Sequence, residues 1–333
     1  MSSFHSVLVE KEILNHPRVQ NILNFLKPNS VYEIDSYEKW WGHVQKPYLD
    51  KRDKLNLILA AKKGEMVKHA PPAYGFSKNK HYYFVHAYNC IYECQYCYLQ
   101  GHFKNPDLVI FVNYEDIIKE MSRLCQHDPN PVWFHAGEFS DSLALSHLTQ
   151  ELSLYWEFIS KNENAFFELR TKSVNIKEVL KQTPHPRIVT SFSLSPQRAT
   201  KELDLKTPPA SSRVEAMKKL SERGFKIGVH FDPIVFTQDY EAEYEQLVED
   251  LRKQGLLQEI EYISIGVVRF SKDAFDVFAR NYPASSILRS PLRKESKDKV
   301  KYSKELRFQI LSSLENMLVE KGYSKEKIYW CME

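Results

Sequence analysis

Glycine is scarce in this sequence, 10 of 333 residues, and neither a low-complexity tract nor an internal repeat interrupts it. Collagen-like, disordered and coiled-coil architectures therefore find no support. Nowhere do about 18 apolar residues run together, and the opening MSSFHSVLVEKEIL lacks the basic segment and long apolar run of a secretory signal. The expectation is a soluble, cytoplasmic protein with no membrane partner. Charge of one sign is lacking too: 46 Lys and Arg against 43 Asp and Glu leave a net +3, too little to imply a polyanionic partner by itself. Five cysteines are an odd number, and three fall within eight positions. That suits a ligand cluster in a reducing compartment better than a disulfide framework.

What is present is a chain long enough to bury a large core, 43% of it hydrophobic. Amphipathic helical patterns at Val7–Leu26 and Lys54–Met66 flank a polar and aromatic stretch, Lys27–Leu49. They predict a helical N-terminal extension over residues 1–75. From His81 onward, strand-length apolar runs (HYYFVHAY, VWFHAGEF, AFFELRTK, RIVTSFSL, FKIGVHFDPIV, IEYISIGVVRF) alternate with helical patterns such as Glu115–Cys125 and Tyr240–Gly255. Alternation of this kind implies parallel strands with right-handed crossovers. About six such units predict an α/β fold, a partial (β/α)6 TIM-type barrel over residues 76–333. Functional groups of such folds gather at strand C-termini, and polar residues do follow the runs: Asn89, Glu138 to Asp141, Lys172, Ser193 to Ser195 and Asp232.

Cys90, Cys94 and Cys97 stand in C-x3-C-x2-C spacing just after the first of these strands. Thiolates are the usual protein ligands of iron–sulfur clusters. Three on a [4Fe–4S] cluster leave one iron for a small chelating molecule, and the amine and carboxylate of S-adenosylmethionine (SAM) suit that vacancy. An electron from the cluster can then break the sulfonium C–S bond and release a 5′-deoxyadenosyl radical. The alternatives are buried thiols or structural zinc, for which His86, His102, Cys125 or Cys331 would have to supply a fourth ligand.

At these residues the chain resembles the radical SAM superfamily and, more closely, the spore photoproduct lyase family. The shared text is Cys94-Gln-Tyr-Cys-Tyr-Leu-Gln100, Ser140-Asp141, His147-Leu-Thr149, Thr171-Lys172, Ser193 and Gly228 through Pro233, in order from about residue 70 to the C-terminus. The resemblance implies that Lys172 faces the SAM carboxylate and that Ser140, Ser193 and Tyr98 make further contacts. Gly137-Glu138 would hold the SAM amine, because glycine permits close approach and a carboxylate accepts from an ammonium. Tyr96 and Tyr98 match tyrosines implicated in radical relay. One departure stands out: Glu138 occupies the position of the family's hydrogen-returning cysteine, and a carboxylate has no weak S–H bond to donate. Cys331 is the candidate substitute donor.

In the family a basic, tyrosine-containing hairpin near the C-terminus opens the duplex beside the lesion. Here the corresponding segment, about 285–304, carries Arg289, Arg293, Lys294, Lys297 and Tyr302 without reproducing the hairpin motif. The cations could neutralise phosphates, and Tyr302 could stack on a base or cover the core at a helix start. The resemblance implies a lyase-like enzyme acting on an ultraviolet-type thymine lesion or modified base in DNA, with flavodoxin or ferredoxin as electron donor. Two alternatives differ in kind: the same radical chemistry on RNA, a peptide or a small molecule, and a non-enzymatic nucleic-acid binder with a structural metal.

Overall fold

The structure, a computed structural model, describes residues 4–41, 54–103, 105–296 and 298–332. Strands β1 (Val7–Glu10), β2 (Val31–Ile34) and β3 (Leu57–Ala60) begin one sheet, and β4 (Val67–His69) and β5 (Lys80–Phe84) begin another. The chain returns to the first sheet through β6 (Ala87–Tyr88), makes the short β7 (Glu93–Cys94), and adds β8 (Leu108–Phe111). Then come β9 (Val132–Ala136), β10 (Ala165–Thr171), β11 (Ile188–Ser193), β12 (Asp204–Leu205), β13 (Lys226–Ile234) and β14 (Ile260–Val267). The strands β15 (Arg269–Ser271), β16 (Arg293–Ser296), β17 (Lys299–Lys301) and β18 (Ile328–Trp330) complete the set.

The larger sheet has the order β18-β14-β13-β11-β10-β9-β5-β4. Every pairing in it is parallel except β4 with β5. Helices fill the crossovers, among them Tyr114–His127, Leu152–Lys161, Ala210–Ser221 and Tyr240–Lys253, so the α/β partial barrel expected from the alternating runs is the fold observed. Its curl is visible in side-chain contacts. Strands β10 and β14 stand three places apart, about 14 Å in a flat sheet, yet Tyr262 on β14 donates a 2.6 Å hydrogen bond to Glu168 on β10.

That bond belongs to a polar layer across the barrel interior. Glu168 also accepts from His135, from Ser191 Oγ at 2.7 Å, from His230 Nε2 at 2.6 Å and from Arg170 at 3.1 Å. Burial opposes ionisation of Glu168, but Arg170, His230 and His135 outweigh it and hold the carboxyl well below the usual range. Burial, then Arg170, pushes His230 down, and its ring sits between the carboxylate at Nε2 and Ser264 Oγ at Nδ1. An apolar plug with Trp133, Val189, Tyr262, Phe76 and Phe166 accompanies this layer.

The N-terminal region differs from the helical extension that its periodicity predicted. Val7–Glu10 and Leu57–Ala60 are strands, and within Val7–Leu26 the α-helix covers only Pro17–Leu26. They join β2, β8 and β6 in a sheet of order β2-β1-β3-β8-β6, with apolar clusters on both faces. Strands buried on both faces show no alternation, and short apolar runs then pass for turns of helix. The boundary at residue 75 is crossed in both directions: β4 belongs to the barrel sheet, while β6 and β8 belong to the N-terminal one. Among the described residues no helix is long and apolar enough to cross a membrane.

Candidate active site at the barrel mouth

The cysteine loop begins where the chain leaves the barrel. After β6, Asn89 takes a left-handed backbone, φ 63°, and its buried amide donates to the carbonyls of Asn105 at 2.7 Å and Asp107 at 2.8 Å. An asparagine tolerates this conformation where a branched residue would not. Asp107 in turn receives Asn56, through its backbone N–H at 2.9 Å and its side chain at 3.0 Å. The loop's middle is held by β7, which pairs antiparallel with β12 and sets Cys94 opposite Asp204. Cys97 N–H closes a turn on the Cys94 carbonyl at 3.0 Å, and the helix Leu99–His102 follows.

Cys94 is buried, Cys90 and Cys97 are half-buried, and none of the five cysteines forms a disulfide. Burial pushes the Cys94 thiol up; Asp204, Cys97 and Cys90 add to the shift and Lys172 opposes it. Lys172 Nζ stands 5.6 Å from the centre of the Tyr96 ring. The Tyr96 hydroxyl donates to Asp204, whose other oxygen accepts from Arg213 Nη1 at 3.0 Å. Arg213, with no exposed surface, also donates to the Ser193 carbonyl at 2.8 Å. The cysteine loop, the end of β11 and Lys172 thus meet around one buried ion pair.

The loop after β9 is shaped by Gly137, whose φ is 98° and at which a Cβ would lie 2.8 Å from the Arg170 carbonyl oxygen. Asp141 then fastens the loop to the end of β10: one carboxylate oxygen accepts from Thr171 Oγ1 at 2.6 Å and the other from Lys172 N–H at 2.7 Å. Half-buried Ser140 lies between these two points. Glu138 accepts from Tyr74, and Tyr98 donates to its carbonyl at 2.6 Å and its carboxylate at 3.0 Å. Arg170 lies 4.9 Å above the Tyr74 ring. Cys331, 1% exposed, follows β18 beside Arg269, whose Nη2 is 3.9 Å from its sulfur. Burial, then Asp232, pushes that thiol up to about 12, so it keeps its S–H at neutral pH.

The basic segment is a hairpin after all: β16 and β17 pair antiparallel, and β15 flanks β17. Arg293 and Lys294 are exposed on it, as is Arg289 just before it, and Lys297 lies outside the described residues. Tyr302 does not serve as a stacking platform. It is completely buried, packs in the main core, and accepts the Phe236 N–H at 2.9 Å. Its place just before the helix Lys304–Glu320 is that of a residue covering the core. Lys301 and Arg307 are also spoken for, both by Glu295, at 2.6 and 2.9 Å.

Several residues of the mouth escape sequence reasoning: Tyr74, Arg170, Asp204 and Arg213. Arg170 had a visible signal, since Glu168 and Arg170 stand two apart in an otherwise apolar strand and so share its inner face. Nothing local marks the others, because each is defined by a partner distant in sequence, as Tyr74 is by Glu138.

A parallel half-barrel with a C-x3-C-x2-C loop after its first inner strand is the architecture of the radical SAM superfamily. A profile of the spore photoproduct lyase family matches residues 5–323. The chain belongs to the spore photoproduct lyase family. It is 26% identical over 200 residues to the spore photoproduct lyase of Clostridium acetobutylicum, covering 60% of this chain and 59% of that one. To that of Bacillus subtilis it is 27% identical over 206 residues, covering 60% of each. The aligned stretch thus spans about 60% of the length of these curated relatives. A solved spore photoproduct lyase complexed with dinucleoside spore photoproduct superimposes with a TM-score of 0.83 at 19% identity over 98% of both chains. A variant with bound SAM and the same dinucleoside matches with a TM-score of 0.83 over 99% of both.

Proposed function

We propose that this chain holds a [4Fe–4S] cluster through Cys90, Cys94 and Cys97, cleaves SAM reductively, and acts on a thymine lesion of the spore-photoproduct type in DNA. The observation that carries this is that the loop bearing the three cysteines is tied to Glu138 through Tyr98, to Lys172 through the Tyr96 ring, and to the Ser193 end of β11 through Asp204 and Arg213. The donor set fits a cluster in its chemistry: three free thiols lie within eight residues of one loop, Cys94 buried and Cys90 and Cys97 half-buried, and thiolates are the usual protein ligands of iron–sulfur clusters. When bound, the cluster and SAM supply a 5′-deoxyadenosyl radical.

The chain's own residues do the rest. Lys172 offers a cation for the SAM carboxylate, and Glu138 an acceptor for its ammonium. Two phenols already donate to Glu138, but each carboxylate oxygen has two acceptor sites, so capacity remains. Gly137 admits the ligand to the backbone, and Ser140, Ser193 and Tyr98 line the approach. Tyr96 and Tyr98 each donate to a carboxylate, Asp204 and Glu138, which can take the phenolic proton as the ring gives up an electron. Hydrogen return falls to Cys331, the protonated thiol beside Arg269 and Asp232. Arg289, Arg293 and Lys294 meet phosphates, and flavodoxin or ferredoxin delivers the electron.

The test is anaerobic incubation of reduced enzyme with SAM and ultraviolet-irradiated spore-type DNA, with mass analysis of released thymine. Restored thymine is the expected result. SAM cleavage without it favours a second reading, the same radical chemistry on RNA, a peptide or a small molecule, which Glu138 in the cysteine position supports. A Cys331→Ser enzyme with unchanged products and turnover would remove that thiol from the scheme.

A further inference from the structure

The hairpin does not hang from the barrel as an independent arm. The described residues of 269–302 form one module: β15, the helix Lys272–Asn281, then the β16–β17 hairpin, with β17 returning to pair β15. Arg269 ties its base to the barrel mouth by two bonds to the Asp232 carboxylate, at 3.0 and 3.1 Å. The helix packs on the other side against Leu99–His102, the helix that continues the cysteine loop. The approach is as close as backbone allows: a Cβ at Gly101 would lie 2.6 Å from Ala274 Cα. Phe270 and Phe278 stack at 5.0 Å in the main core and fix the helix to its strand.

Gln100 sits at this crossing and is 4% exposed. Its amide nitrogen donates to the carbonyls of Cys94 and Gln95, both at 3.1 Å, and its amide oxygen accepts from Asn281 at 2.8 Å. One buried side chain therefore spans the backbone of a cluster cysteine and the last residue of the hairpin module's helix. An amide is suited to this, since only a group with both donors and an acceptor satisfies the two sides at once. Breaking it would take the Gln100 donor from both carbonyls, leaving the Cys94 carbonyl with the Cys97 N–H alone.

We propose that Gln100 is a positioning residue that locks the cysteine loop to the hairpin module, so that a duplex held by the hairpin steadies the loop that carries the cluster. This rests on the proposed meeting of hairpin and nucleic acid. Coupling of this kind is reciprocal: what restrains the module restrains the loop, and loosening the loop loosens the module.

The test uses reconstituted holoenzyme and follows bleaching of the cluster by a chelator in air, with the electron paramagnetic resonance spectrum of the reduced protein with and without SAM. Gln100→Leu is expected to bleach about fivefold faster or more, the loss of buried hydrogen bonds, and to shift the spectrum. Asn281→Ala, a half-buried position where truncation is tolerated, bleaches faster by a smaller factor. A short DNA duplex slows bleaching of the wild type, whereas Asn281→Ala binds the same duplex with unchanged affinity and is not slowed. Wild-type bleaching rates and spectra in Asn281→Ala, or equal slowing of both proteins by bound duplex, overturn the proposal. Should no duplex bind the wild type, the DNA assignment falls, and the lock is then decided by the DNA-free rates and spectra alone.

Discussion

The barrel mouth and the hairpin face carry similar residues and use them differently. At the mouth the arginines have local carboxylate partners, Arg213 with Asp204, Arg269 with Asp232 and Arg170 with Glu168, while Lys172 faces the Tyr96 ring. On the hairpin Arg293 and Lys294 are exposed, as is Arg289 just before it, while Lys301 and Arg307 are engaged by Glu295. A site built from strand ends fixes its groups through the fold, so the order of residues predicts their place. A basic run fixes nothing, and only the folded neighbours decide which cations stay available.

The contrast breaks most severely at the cysteines. Cys94→Ser removes one of the three thiols proposed as cluster ligands from a loop that the rest of the protein holds in place, so iron and sulfide content and 5′-deoxyadenosine formation should fall to background while the fold persists. Circular dichroism and iron analysis together check this, and retained iron with full nucleoside formation would reassign the ligands. Next in size is Arg213→Ala. It leaves the Asp204 carboxylate buried without its cation, which costs about 3–5 kcal/mol, read as a lowered urea midpoint. A surface-like loss below about 1 kcal/mol would show that the mouth is no better knit than the hairpin.

Acid should separate the two regions as well. His86, buried just before the cysteine loop, is pushed down by burial to about 4 from an ordinary 6.5. Between those values the unfolded chain binds a proton that the folded chain refuses, so stability rises with pH through this window. It is lost as pH falls from 6.5 towards 4, by roughly 3 kcal/mol from this residue. Urea midpoints measured across that range should fall steeply in the wild type and more gently in His86→Gln. A slightly smaller loss is expected for Gly137→Ala, about 1–3 kcal/mol for forcing a Cβ into a left-handed conformation, with SAM affinity weakened alongside.

The same contrast explains what could be read before the fold was known. The inner strands β9, β10, β11, β13 and β14 were legible because each is a long apolar run followed by polar residues, and C-x3-C-x2-C marked its loop without help. The strands β1 and β3 were not, since Leu8 and Ile58 are as buried as their neighbours and no alternation remains. Tyr302 misled for a related reason: an aromatic beside lysines looks like a base platform, and only the Phe236 N–H and the core around its ring show otherwise. Asp204 and Arg213 lay in plain view, but their pairing depends on β12 folding back onto the cysteine loop, which no local pattern announces.

The smallest effects are expected on the hairpin, and they sharpen the comparison further. Arg293→Glu and Lys294→Glu act on side chains that point to solvent, so each should weaken DNA binding without changing stability. The slope of log affinity against log salt should flatten by about 0.9 for each phosphate that the variant no longer neutralises. Lys301→Ala serves as the contrast, because its ammonium already faces Glu295 at 2.6 Å. Deleting it also frees that carboxylate to hold Arg307 alone, so the change in salt slope should be close to zero. Binding titrations at several salt concentrations distinguish the three variants. Equal flattening by Lys301→Ala would mean that DNA displaces Glu295, and that the hairpin presents its whole basic run rather than the part left exposed.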